Sequence, residues 1–123
     1  MSTIHKFTGN HHKYAWDGIE KRELNLEGLK GITKSVLIGP DDLAPNSIMR
    51  YFQIQPGGHS HLEKHPQEHE VIVLHGKGEV QIGENTHEVT VHDVVFISPN
   101  ELHQFSNPFD ETFGFICVIP KGF

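Results

Sequence analysis

The stretch Val71-Ile72-Val73-Leu74-His75-Gly76-Lys77-Gly78-Glu79-Val80-Gln81-Ile82-Gly83-Glu84-Asn85-Thr86-His87-Glu88-Val89-Thr90-Val91 decides the fold class. Its β-rich runs, 71–74, 79–82 and 86–91, are separated by Gly76-Lys77-Gly78 and by Gly83-Glu84-Asn85, the second reading as a three-residue hairpin loop. The same grammar continues in both directions. Towards the N-terminus, 32–38 stops at Gly39-Pro40-Asp41-Asp42 and 47–55 stops at Pro56-Gly57-Gly58. Towards the C-terminus, 94–97 stops at Ser98-Pro99-Asn100, and 112–119 closes the chain. Helical periodicity is missing. In the best helical window, 18–30, the centre Glu23-Leu24-Asn25-Leu26-Glu27 alternates with the period of a strand. Short strands at regular spacing with Gly, Pro, Asn and Asp between them predict an all-β chain, folded as an antiparallel sandwich, jelly roll or barrel.

At 123 residues and 13.9 kDa the chain is expected to form one domain, 1–123. An N-terminal arm of about 1–30 precedes a barrel core of about 31–120, and that arm is free to pack on a neighbouring chain. Sixteen acidic against ten basic residues give a net charge of −6, which argues against nucleic acid or an anionic membrane as partner. The longest strongly apolar stretch, 112–120, is far shorter than the ~20 residues that span a bilayer. Cys117 is the one cysteine, so no intrachain disulfide is available, and with no leader-like start the expected compartment is the cytoplasm.

Histidine carries the functional signal. Of eleven, five lie between His59 and His75. Positions 59, 61, 63 and 65 share one parity and, in a strand, one face. Pro66-Gln67-Glu68 reads as a turn that sets 65 opposite 69 and 63 opposite 71, so Glu63, His65 and His69 converge. His103, opening a new strand with Phe105 on its face, is the expected fourth member. Imidazole and carboxylate without thiolate make a metal-ligand set suited to Mn, Fe, Ni, Co or Zn, with Glu68 the alternative carboxylate. His59, His61 and His75 are expected to form a hydrogen-bonded rim, a second metal site being the alternative. His5, His11, His12, His87 and His92 are expected on the surface. Cys117 lies in a two-sided apolar strand, so it is expected buried, close to the metal if its parity is inward. Phe52, Phe105 and Phe115 are candidate pocket walls. For Arg50 and Glu101, solvated ion pairs are expected, with ligand contact as the alternative.

The segments that hold these residues resemble the two motifs of the cupin superfamily, over about 56–107. In the first motif a Gly is followed after five residues by His-x-His, then by Glu, then after six residues by Gly. Here Gly57 and Gly76 keep the glycine positions, Glu63 and His65 stand at the two histidines, and His69 stands at the glutamate. Carboxylate and imidazole have exchanged places, and three His and one Glu remain. In the second motif His103 and Asn107 keep their spacing, while His92 and Asn100 stand at its two glycines and Ser98 at its proline. The wording of both segments is similar to small single-domain manganese-type cupins. The resemblance implies an antiparallel double-stranded β-helix, the jelly-roll cupin barrel, with one divalent metal per chain, Mn or Fe favoured.

The expected function is that of a metal-dependent oxidoreductase of dioxygenase type acting on a small molecule inside the barrel. A metal-dependent isomerase or lyase is the alternative within enzymes, and a non-catalytic ligand-binding or sensing cupin the alternative outside them. A homodimer is expected, because small barrels leave sheet edges that need covering.

Overall fold

The computed structural model describes residues 2–11 and 13–121, so His12 lies outside the described residues. The strands are β1 (Lys21–Glu23), β2 (Lys30–Ile38), β3 (Ser47–His59), β4 (His69–His75), β5 (Lys77–Ile82), β6 (Asn85–Thr90), β7 (Val94–Ile97), β8 (His103–Ser106) and β9 (Phe113–Pro120). Among the described residues the only helical element is the 3-10 turn Pro40–Asp42, and no helix is long and apolar enough to cross a membrane. Every pairing is antiparallel, in the order β6-β5-β8-β3-β9-β4-β7, with β2 on the other side of β3 and β1 beyond it. The sheet curls on itself. Phe105 of β8 stacks on Phe115 of β9 at 4.7 Å between centroids, and Gly78 of β5 lies so close to the Phe113 ring that a Cβ there would sit 2.3 Å from it. This is the antiparallel jelly-roll barrel that the strand grammar predicts.

Strand alternation decides what lines the interior. In β4, His69, Val71 and Val73 are buried while Glu70 and Ile72 are exposed. In β9, Phe113, Phe115 and Cys117 point inward with Val71, Val73, Val95, Ile97 and Ile54 around them. Each fully buried Phe or Ile contributes roughly 1.5–3 kcal/mol by leaving water. The interior is therefore apolar along most of its length and carries imidazoles only at the strand ends, where His69 begins β4 and His103 begins β8.

Three expectations are corrected. Ile82 pairs with Asn85, so the β5–β6 loop is the two-residue Gly83-Glu84; Gly83, at φ 61°, supplies the left-handed backbone that a tight hairpin turn needs. The segment after β3 does not fold back on β4 as a hairpin. β4 pairs with β7 and β9 instead, and Glu63 bridges to His103. The N-terminal arm packs on its own barrel. Phe7 bridges to Trp16, Tyr14 stacks on Tyr51 at 5.7 Å and lies 4.4 Å from the His75 ring, and His5 pairs with Asp42 at 2.7 Å. The reason is parity: Tyr51 and His75 point away from the interior, and the arm takes Tyr51 out of water, leaving it 1% exposed.

The glycine replacements noted in the sequence retain the glycine geometry. Gly57 and Gly76 have φ of 82° and 67°, and His92 and Asn100, at the other motif's glycine positions, have 74° and 63°. Asn and His tolerate this region better than most residues, at some cost relative to Gly. His92→Gly is therefore expected to leave stability unchanged or raise it by about 0.5–1 kcal/mol, whereas Asn100→Val should lower it by about 1–3 kcal/mol, both read from urea unfolding midpoints.

Candidate metal centre

His65, His69 and His103 converge from separate parts of the chain. Their ligand nitrogens lie within 4.8 Å of one another, and His69 and His103 are buried. His103 is placed by two backbone bonds with Glu63, Glu63 N–H to its carbonyl at 3.1 Å and its own N–H to the Glu63 carbonyl at 2.9 Å. His65 is carried by the 60–68 loop, which Asn100 N–H holds by donating to the His65 carbonyl at 2.7 Å. Asn107 anchors the far end of this assembly. Its side-chain amide donates to the carbonyls of Ile54 and Glu111, and its oxygen accepts from Phe109 N–H.

The tautomers follow from the second contacts of each ring. His103 Nδ1–H donates to the Glu101 carbonyl at 2.9 Å, which leaves Nε2 with a free lone pair. His69 Nδ1 lies 2.9 Å from Cys117 Sγ and 3.5 Å from Arg50 Nη2; with Nδ1–H directed to the nearer sulfur, its Nε2 is free in the same way. His65 Nε2 lies 3.0 Å from His69 Nε2, while His65 Nδ1 is buried with no partner. Two facing nitrogens at that separation match adjacent ligands about 2.1 Å from a common divalent ion. The donor set fits a metal. Burial, with His103, Arg50 and His65 nearby, pushes the His69 imidazole down to about 3, so it is neutral over the ordinary range.

Glu63 stands at the edge of this group. Its Oε1 is 3.8 Å from His65 Nε2, and its side chain is about half exposed at 47%. The triad of imidazoles is tight and the carboxylate is looser. Cys117 has the inward parity. It accepts from Arg50 Nη2 at 3.1 Å, and burial pushes its thiol up while Arg50 pulls it down. Arg50 makes no ion pair among the described residues; it lies over the Phe52 ring at 4.8 Å inside the barrel. The rim histidines go separate ways. His59 bonds to the Ser60 carbonyl, His61 Nε2–H donates to the Glu27 carbonyl at 2.7 Å, and His75 accepts from the Tyr51 hydroxyl on the outer face. No second cluster of these three forms among the described residues. His5, expected on the open surface, is tied to Asp42, while His87 and His92 are exposed.

Two of the three imidazoles, His69 and His103, line a cavity of about 240 Å³, with Glu63 beside them. Phe52, Phe105 and Phe115 wall it as expected, and Leu24, Leu26 and Leu29 of the arm cover it. Lys34 also lines it, and the sequence reading missed this residue. Its signal was shared parity with the buried Ile32 two positions earlier.

The chain is a small antiparallel barrel in which His69 and His103 at inner strand ends and His65 on the adjoining loop form a cluster that could hold a metal ion. The Cupin domain family matches residues 50–119, more than half of the chain, and the chain belongs to the cupin family. Among its relatives is the 1-methylthio-D-xylulose 5-phosphate methylsulfurylase of Rhodospirillum rubrum, 36% identical over 110 residues that cover 87% of this chain and 69% of the relative. Among solved structures, a cupin-2 domain protein from Rhodospirillum rubrum superposes with a TM-score of 0.82 at 33% identity, covering 94% of this chain and 78% of that one. A cupin 2 conserved barrel domain protein from Rhodopseudomonas palustris reaches 0.83 at 28% identity, with 98% and 81% covered.

Two measurements check this geometry. Cys117→Ala removes the acceptor of His69 Nδ1–H and should weaken metal binding roughly tenfold or more, while Cys117→Ser should restore most of it. In metal-free protein the unfolded chain takes up the His69 proton near 6.5, while the folded chain does so only near 3. Stability should therefore fall with a slope of about one proton as pH drops through that window, and His69→Gln should remove this component in pH-dependent urea melts.

Proposed function

We propose that the chain is a mononuclear metal-dependent enzyme that activates a carbonyl group of a small polyoxygenated molecule. The observation that carries this reading is the convergence of three imidazoles, two with their tautomers set, at the end of a phenyl-walled cavity. Glu63 completes the donor set, Mn or Fe being the favoured ions and Ni, Co or Zn fitting the same donors. When bound, such an ion supplies a Lewis acid that polarises a substrate oxygen. The chain's own side chains do the remaining work. Phe52, Phe105 and Phe115 keep water from one wall. Cys117 and the Glu101 carbonyl hold His69 and His103 in the ligating tautomer. His61, whose Nε2–H is fixed by the Glu27 carbonyl, presents Nδ1 at the cavity 3.9 Å from Glu63 and is placed to move the proton next to the carbonyl. The relative's name places a xylulose derivative, a ketose, in its site, which supports a carbonyl substrate here.

Oxygen chemistry of dioxygenase type is the second reading, favoured by the phenyl wall that would keep a reactive site dry. Metal analysis of purified protein and a substrate screen with oxygen-uptake recording separate the two. Turnover without oxygen uptake supports the first, turnover coupled to uptake the second, and binding without turnover a sensing role. Ala at His65 or His103 should abolish stoichiometric metal. His61→Ala should keep the metal and lose about 10²–10⁴-fold in turnover. A homodimer would cover Val94, Phe96 and Ile72, exposed together on β7 and β4; light scattering that returns 13.9 kDa at micromolar concentration would remove it.

A further inference from the structure

Lys34 and Arg50 stand on neighbouring strands and line the same cavity, Lys34 opposite Phe52 in the β2–β3 ladder and Arg50 two residues earlier along β3. Neither has a carboxylate partner. The ion pairs among the described residues are His5–Asp42, Arg22–Glu20 and the two contacts of Glu63 with His61 and His65. Arg50 Nη2 reaches the Cys117 sulfur at 3.1 Å, and its Nε is buried without a partner. Lys34 is half-buried, and burial together with Arg50 and Arg22 holds its ammonium below the ordinary lysine range. Two cations side by side on a mainly apolar cavity, with no counter-charge, are an unfavourable arrangement in the free protein. Among the described residues the only carboxylate lining the cavity is Glu63, which belongs with the imidazoles.

We propose that Lys34 and Arg50 form an oxyanion site that takes a phosphate or carboxylate group of the same molecule whose other end reaches the three imidazoles, an assignment that rests on the function proposed above. A guanidinium offers paired N–H donors to two oxygens of such a group, and an ammonium adds a compact charge. The cavity then has two chemically distinct linings that meet where Arg50 Nη2 lies 3.5 Å from His69 Nδ1: a cationic one on β2 and β3 that holds the anion, and an imidazole one for the reacting oxygens. This division selects small anionic molecules that also carry oxygens able to ligate a metal, and it disfavours neutral or cationic ones.

Inorganic phosphate and acetate, each titrated calorimetrically into metal-free and metal-loaded protein, test the assignment. Wild type is expected to bind at least one of them in both forms, more weakly as salt is added. Tighter phosphate marks a phosphorylated molecule, tighter acetate a carboxylate. Lys34→Met and, independently, Arg50→Gln should each weaken that binding about tenfold or more. Lys34→Met should also leave metal content unchanged. Absence of anion binding to wild type, or both variants binding as wild type does, overturns the proposal. Binding that disappears when metal is removed overturns it too, since the anion then belongs to the imidazole end. Because the metal-free titration reads the cationic end alone, loss of the metal reading and loss of this one remain separable.

Discussion

Two backbone hydrogen bonds between Glu63 and His103 are what the site depends on. His69 and His103 begin strands of the barrel, whereas His65 and Glu63 lie on a loop whose first residue, Ser60, is tied to Phe105 of β8. The reciprocal pair at 63 and 103 adds a rung to β8 beyond the end of β3. It brings the Glu63 side chain to the face of His103, as directly opposed antiparallel residues require. Asn100 N–H then fixes the loop a second time at His65. Three rings are thereby held with their centroids 4.7–4.9 Å apart, and burial keeps His69 among them neutral.

Most of the barrel was legible because period-two patterning and turn chemistry agree in this chain. Residues 94–97 coincide with β7, and 32–38 and 112–119 agree with β2 and β9 to within two residues. The hairpin set around 66–68 failed for a physical reason. A short loop can join strands that never pair with each other, and nothing local distinguishes that from a tight reversal. The three His were nevertheless brought together as expected, by β4, β8 and the loop rather than by the hairpin. Glu63 was read as the weakest of the four, with Glu68 as the alternative carboxylate, and it lies looser and more exposed than the rings.

The arm and the cationic end were least legible because both depend on tertiary partners. Tyr14 and Trp16 gain their place from Tyr51, thirty-five or more residues away, through ring faces that leave no periodic trace. Arg50 looked like a surface residue, since arginine in a strand usually reaches water. Only the ladder of β3 with β9 reveals its parity, setting it beside the inward Cys117. The same ladder turns a lone buried thiol into the acceptor that orients a ligand histidine.

The positive φ values at His92 and Asn100 define what those corners demand. Each position requires a bend of the backbone rather than a particular side chain, and glycine is only the residue that adopts it at least cost. A residue that carries a side chain can occupy such a corner once the surrounding strands hold the bend in place. At residue 100 the same corner supplies the amide that secures His65, so a single torsion serves both the turn and the site.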